Sequence, residues 1–184
     1  LALEIGDNKE TAEAYKNVGS VAFRETRYSD AIKALNSGYR IATEIKDYEM
    51  VIHCLNYLTM VSEQFDDVHK ALDYCLRAYS IADKCKDTYP KAATANIIAR
   101  RYHFLKEYQK SLAYADTAML LYAKSKEKQE KLNFGYATLY RVKTFVYTKL
   151  NRFDSAFIYI NKAFDEYPQY TNLAMPLAMH YGLI

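Results

Sequence analysis

Apolar and small residues recur along this chain at three- and four-residue spacing, in long stretches parted by short polar turns. Ala31, Leu35, Gly38, Ala42 and Ile45 fall on one face of such a stretch, the spacing of an amphipathic helix. Turns such as "RETRYSD" and "EQFDDVHK" separate two stretches into a helix, a turn and a second, antiparallel helix. The unit then returns: "IATEIKD", Ile41 to Asp47, reappears forty residues later as "IADKCKD", Ile81 to Asp87. Whole columns follow at that offset, among them Tyr28, Val68 and Tyr108; Ala31, Ala71 and Ser111; Leu35, Cys75 and Ala115; Gly38, Ala78 and Ala118. A fourth copy follows at an offset of forty-five with Phe153, Ala156, Ile160 and Ala163. Self-similarity of this kind predicts stacked helical hairpins, none able to bury its apolar face alone.

Composition sharpens the fold class. Only five Gly and three Pro occur in 184 residues, 51% of them hydrophobic, which disfavours a turn-rich β fold and favours an all-α chain. The length allows one domain, 1–184, with repeats near 8–46, 48–86, 88–127 and 132–168 and partial helices at both ends. Leu1 to Gly6 aligns with the tail of a second helix, which predicts a truncated earlier repeat; Thr171 to Ile184 reads as the start of a further helix. That last segment carries no Asp, Glu, Lys or Arg, but it is short and Pro176 interrupts it, so it is not read as spanning a bilayer. Asp7, Asp47 and Asp87 stand where each first helix is expected to begin, which predicts N-caps. The stretch "KSKEKQEK", Lys124 to Lys131, reads as a solvated helix extension with a Glu127 to Lys131 pair.

The columns resemble the tetratricopeptide repeat. The first copy supplies Tyr15, Val18, Gly19, Tyr28, Ala31, Leu35 and Gly38; the second Leu55, Leu58, Thr59, Val68, Ala71, Cys75 and Ala78. The third supplies Ala95, Ile98, Ala99, Tyr102, Tyr108, Ser111, Ala115 and Ala118, and the fourth Tyr140, Thr144, Tyr147, Phe153, Ala156, Ile160, Ala163 and a closing Pro168. Narrow side chains at fixed columns let helices cross closely. The period departs from the family's 34 and also falls in the range of HEAT and armadillo repeats; the small columns favour the tetratricopeptide reading. In the fourth copy Lys143 takes a column where an apolar residue is expected.

The resemblance implies a right-handed α-α superhelix of about four hairpins, whose first helices line a concave wall that binds an extended peptide or partner helix. Carried over residue by residue, its groove columns fall on Lys16, Asn56, Asn96 and Arg141, on Ser20, Met60, Arg100 and Phe145, and on Phe23, Glu63, His103 and Thr148. An Asn amide can donate and accept together along a peptide backbone. With Lys16, Arg100 and Arg141 in these columns, an acidic segment or a C-terminal carboxylate is the expected ligand. The plainer reading of such a stripe is a solvated helix face. The co-chaperone carboxylate clamp is rejected, because Lys16 fits but Ser20, Tyr57, Ala93 and Ile97 occupy its other positions. Of the nineteen tyrosines, Tyr15, Tyr28, Tyr102, Tyr108, Tyr140 and Tyr147 sit in packing columns, while Tyr57 and Tyr136 are free to line a groove.

Other chemistry is disfavoured. His53, His69, His103 and His180 lack HExxH or paired-carboxylate context, and there is no glycine-rich phosphate loop or nucleophile elbow, so no enzyme, metal or cofactor is expected. A net charge of +3, with both signs interleaved, argues against nucleic acid as a partner of this segment. Cys54, Cys75 and Cys85 have no zinc spacing and read as buried apolar packing. Three free thiols lean toward the cytoplasm, whereas one disulfide with one free Cys suits an extracytoplasmic sensor region, so localisation stays open. Long repeats with "EI-[GK]-D" ends look like the sensor segments of bacterial signalling or transcriptional regulators that carry a DNA-binding or kinase domain; the alternative is a free-standing scaffold or assembly adaptor.

Overall fold

The structure, a computed structural model, describes residues 2–173, with side chains for 8–170. It is all-helical over those residues, and its contacts divide it into two compact units, Leu1–Lys86 and Asp87–Ile184. The boundary falls on the junction between the second and third repeats read from the sequence.

The first unit holds α1 (Ala2–Arg24), α2 (Tyr28–Glu44), α3 (Tyr48–Glu63) and α4 (Val68–Ile81), followed by a 3₁₀ turn at Ala82–Lys84. The second holds α5 (Tyr89–Phe104), α6 (Tyr108–Tyr122), α7 (Gln129–Lys149) and α8 (Phe153–Glu166), then a 3₁₀ stretch at Pro168–Leu173. Each first helix packs on the second helix of its own hairpin, α2 packs on α3 and α6 on α7, and α1 lies beside α3 as α5 lies beside α7. The column Tyr28, Val68, Tyr108 and Phe153 opens the second helix of all four hairpins.

The narrow columns are where helices meet. Ala31, Ala71, Ser111 and Ala156 are fully buried, as are Leu35, Cys75, Ala115 and Ile160, and Ala78 and Ala118. A Cβ on Gly19 would stand 2.6 Å from Cγ of Leu35, too close without a shift, and one on Gly38 would stand a tight 3.1 Å from the Ala12 carbonyl oxygen, so the bare glycines ease the close approach of α1 and α2. Ser111 Oγ donates to the Ala99 carbonyl at 2.7 Å, tying α6 to α5 where the other repeats carry alanine.

Every hairpin turn ends its first helix in the same way. Thr26, Asp66, Lys106 and Asn151 have φ of 61°, 54°, 60° and 56°, and Lys46 at the α2–α3 junction has φ 58°. The next amide donates five residues back: Arg27 to Ala22 at 2.9 Å, Asp67 to Ser62 at 3.1 Å, Glu107 to Tyr102 at 2.9 Å, Arg152 to Tyr147 at 2.8 Å and Asp47 to Ala42 at 2.9 Å. This closure satisfies carbonyls that a helix C-terminus would otherwise strand.

Several expectations are corrected. Asp7 lies inside the continuous α1, as do Ala2–Gly6, so these residues begin the first hairpin and do not end an earlier helix. The side chain of Asp7, Leu1 and residues 174–184 lie outside what is described, and 171–173 belong to the 3₁₀ stretch. Asp47 does cap α3, its carboxylate accepting from the Met50 amide at 3.1 Å, and Asp67 caps α4 equivalently through the Lys70 amide at 3.0 Å. Asp87 stands one residue before the cap of α5. It accepts from the Tyr89 amide at 2.7 Å and, from the α6–α7 loop, from Ser125 Oγ at 2.6 Å and the Lys126 amide at 2.9 Å. Lys124–Lys128 therefore form that loop, and only Gln129 onward is helix, although the expected Glu127–Lys131 pair is present at 3.0 Å.

Two packing positions of the first repeat also differ. Tyr15 and Val18 are 40% and 56% exposed, whereas their equivalents Leu55 and Leu58 are buried. Leu58 has α2 and α1 beside its helix, while no described helix precedes α1. Lys143, by contrast, keeps its place in the buried column at 3% exposure. Its ammonium pairs with Asp116 of α6, donates to the Tyr159 hydroxyl at 3.0 Å and lies 4.5 Å from that ring's centre. Burial alone would lower its pKa, but these partners override it and raise it.

Candidate functional site

In the first unit the predicted groove residues lie on the neighbouring helices α1 and α3. Lys16 is half-buried, 4.0 Å from Glu13; Phe23 packs its ring 6.0 Å from Tyr28; Met60 is exposed; Glu63 is half-buried. Asn56 holds its Oδ1 buried with no hydrogen-bond donor upon it among the described residues. Ser20 is turned inward, buried, and gives its proton to the Asn17 carbonyl at 2.9 Å.

The second unit brings its predicted residues together. α5 and α7 run side by side and contribute Ala93, Asn96, Ile97 and Arg100 from one and Phe134, Gly135, Thr138, Arg141 and Val142 from the other to a cavity of about 400 Å³, closed by Tyr89 and Tyr122. A second cavity of about 170 Å³ adjoins it, sharing Arg100, Arg141 and Val142 and adding His103, Phe104 and Phe145. Thr148 is not part of either; it is buried with its hydroxyl on the Thr144 carbonyl at 2.8 Å.

Asn96 serves the wall differently from the two-way amide grip that sequence suggests. It is only 9% exposed, and its Nδ2 donates to the Gly135 carbonyl at 3.2 Å and to Thr138 Oγ1 at 2.6 Å. Both bonds run to α7 and the amide also reaches the Tyr122 hydroxyl, so the residue ties the two groove helices together. Tyr122, buried at the end of α6, lies between Tyr89 and Tyr136, tilted 50° and 55° to their rings at centroid distances of 5.7 and 5.5 Å. Burial first of all raises its pKa far above the ordinary range, so the ring is a neutral floor for the cavity.

The charges on the wall have one sign. Among the described residues neither cavity is lined by a carboxylate, while both are lined by Arg100 and Arg141. Arg100 holds its Nε buried with no acceptor among the described residues. Burial, and then the like charge of Arg100, lower the pKa of Arg141, so the two guanidiniums sit within electrostatic reach of one another. Guanidinium stays ionised in proteins, so the repulsion is borne as uncompensated positive potential. His103 is the neutral element: burial, then the charge of Lys149, depress its pKa, its Nδ1 is buried without a partner among the described residues, and its ring lies 4.8 Å from Phe145.

Sequence reasoning missed Tyr89, Ala93, Ile97, Tyr122, Phe134, Gly135, Thr138 and Val142 as wall residues. Ala93, Phe134 and Thr138 continue the predicted columns one or two turns toward the helix N-termini, a signal available from spacing alone. Tyr122 comes from a second helix and carried no such signal.

Together the paired helices define a tetratricopeptide-like α-α superhelical repeat fold, and solved structures share it. The apo form of RapI superposes with a TM-score of 0.73 at 23% identity, covering 86% of this chain and 43% of that one. Aspartyl phosphate phosphatase F from Bacillus subtilis gives 0.74 at 17% identity, covering 91% and 42%, and MamA gives 0.60 at 16%, covering 95% and 82%. The chain thus spans less than half the length of the first two. No protein-family profile and no curated protein matches the sequence.

Proposed function

We propose that this chain is a protein- or peptide-binding repeat module whose second unit takes an acidic ligand, an acidic segment or a terminal carboxylate, between α5 and α7. The observation that carries this reading is the pairing of Arg100 with Arg141 in a cavity lined by no carboxylate among the described residues. A bound carboxylate accepts from both guanidiniums and relieves their mutual repulsion, which makes the interaction stronger than one exposed ion pair. The first-unit residues Lys16, Phe23, Asn56, Met60 and Glu63 are proposed as further contact positions on α1 and α3.

Covering less than half of RapI and of the phosphatase supports a role as the sensor or interaction segment of a larger bacterial signalling or transcriptional regulator. A second reading, a free-standing scaffold or assembly adaptor, is favoured by the 82% of MamA that the chain covers. The module binds and does not catalyse in either case. Selection of displayed random peptides on the immobilised protein tests this: the recovered sequences should be enriched in Asp and Glu, and enrichment of basic or purely apolar sequences would overturn it. Turnover of an acyl phosphate probe, lost in Arg141→Gln, would replace binding with catalysis.

A further inference from the structure

Resting on that reading of the groove, we propose that the ligand is an extended peptide carrying an acidic side chain and, two positions along, a large apolar one. The carboxylate sits at Arg100 and Arg141, and the apolar group enters the smaller cavity beside them.

Among the described residues the two cavities share Arg100, Arg141 and Val142, so the positive charge marks their junction. On the far side of that junction the wall turns apolar, with Phe104, Phe145 and a His103 that burial keeps neutral. About 170 Å³ is several waters at about 30 Å³ each, or one large side chain. The surface facing this space is mainly carbon, from Phe104, Phe145 and Val142, with the polar atoms of Arg100 and His103 buried beneath it, so an apolar occupant is favoured over solvent.

Spacing fixes the peptide register. The smaller cavity uses residues one turn further along α5 and α7 than the larger one, an axial step of about 5.4 Å. In an extended peptide, side chains on one face recur every second residue, about 6 to 7 Å apart. Positions i and i+2 therefore reach the arginines and the apolar cavity together, whereas adjacent side chains point to opposite faces.

The test is fluorescence anisotropy with labelled, C-terminally amidated Ser-rich peptides carrying Glu-Ser-Leu, Gln-Ser-Leu, Glu-Ser-Ser or Glu-Leu-Ser, together with a free-carboxylate form of the Gln peptide. Glu-Ser-Leu should bind at least about tenfold more tightly than the other three amidated peptides. Phe145→Ala should erase the advantage of Leu while leaving the advantage of Glu, and Arg141→Gln should erase that of Glu. Equal binding of Glu-Ser-Ser and Glu-Ser-Leu would overturn the two-part site while leaving the acidic groove intact. Binding of the free-carboxylate peptide alone would overturn it in favour of chain-end recognition. If no acidic peptide binds, the groove reading itself falls.

Discussion

A Cβ added to Gly135 would stand 2.6 Å from Cζ of Tyr122 and 2.9 Å from its hydroxyl, because α7 passes the end of α6 with its bare backbone against the phenol ring. The ring is flanked by Tyr89 and Tyr136 and borders the cavity, so yielding to a Cβ would pull it away from those two rings. Gly135→Ala would gain about 1 kcal/mol of helix propensity, yet overpacking costs about 1 to 3 kcal/mol. The variant is therefore expected to melt at a lower temperature and to bind acidic peptide more weakly. A melting temperature at or above that of the parent would show that Tyr122 yields freely.

The fully buried alanine columns make the same demand elsewhere. Ala71→Leu in the first unit and Ala118→Leu in the second should each lose about 1 to 3 kcal/mol in denaturant unfolding. Unchanged midpoints would mean that these crossings have slack that the structure does not show.

Thr26 is a β-branched residue at φ 61°, a conformation that glycine reaches without Cβ strain. Relief of about 1 kcal/mol is expected from Thr26→Gly, since the left-handed region costs other residues about 1 to 2 kcal/mol and glycine gives some of it back in unfolded-state entropy. Thermal melts that show destabilisation instead would refute the strain argument.

His103 gives the molecule an acid sensitivity. Its folded pKa lies below the ordinary value, so the unfolded chain binds the extra proton more readily between the two. Stability from this source is present above the unfolded pKa of about 6.5 and is lost as pH falls through that value toward the lower folded one. Melting temperatures taken from pH 7.5 to 5.5 should fall more steeply for the parent than for His103→Gln; parallel slopes would remove His103 as the cause.

The fold was legible in the chain because side-chain size is a property of a single position. Ala31, Ala71, Ser111 and Ala156 declare a close crossing wherever their neighbours come from, and all four are buried. Burial at Tyr15 and Val18 depends on whether another helix lies alongside, which no local pattern states. Lys143 looked like a fault in the fourth repeat because its partners, Asp116 and Tyr159, lie on α6 and α8. Asp67 caps a helix that neither neighbouring repeat caps with aspartate, since Arg27 and Glu107 take its place, so repetition could not reveal it. In the candidate site the columns on α5 and α7 pointed to the helices that bear both arginines. The commitment of Asn96 to α7 and the Tyr122 floor depend on how three helices meet, and periodicity along one helix carries no such information.

The most direct measurement is isothermal titration of an amidated, Glu-containing peptide into the parent and into the Arg100→Gln, Arg141→Gln double variant, with far-UV circular dichroism confirming equal helicity. Saturable binding to the parent that weakens with added salt and falls at least about tenfold in the double variant is the predicted result. Equal affinity of the two proteins, at equal helicity, would contradict the account.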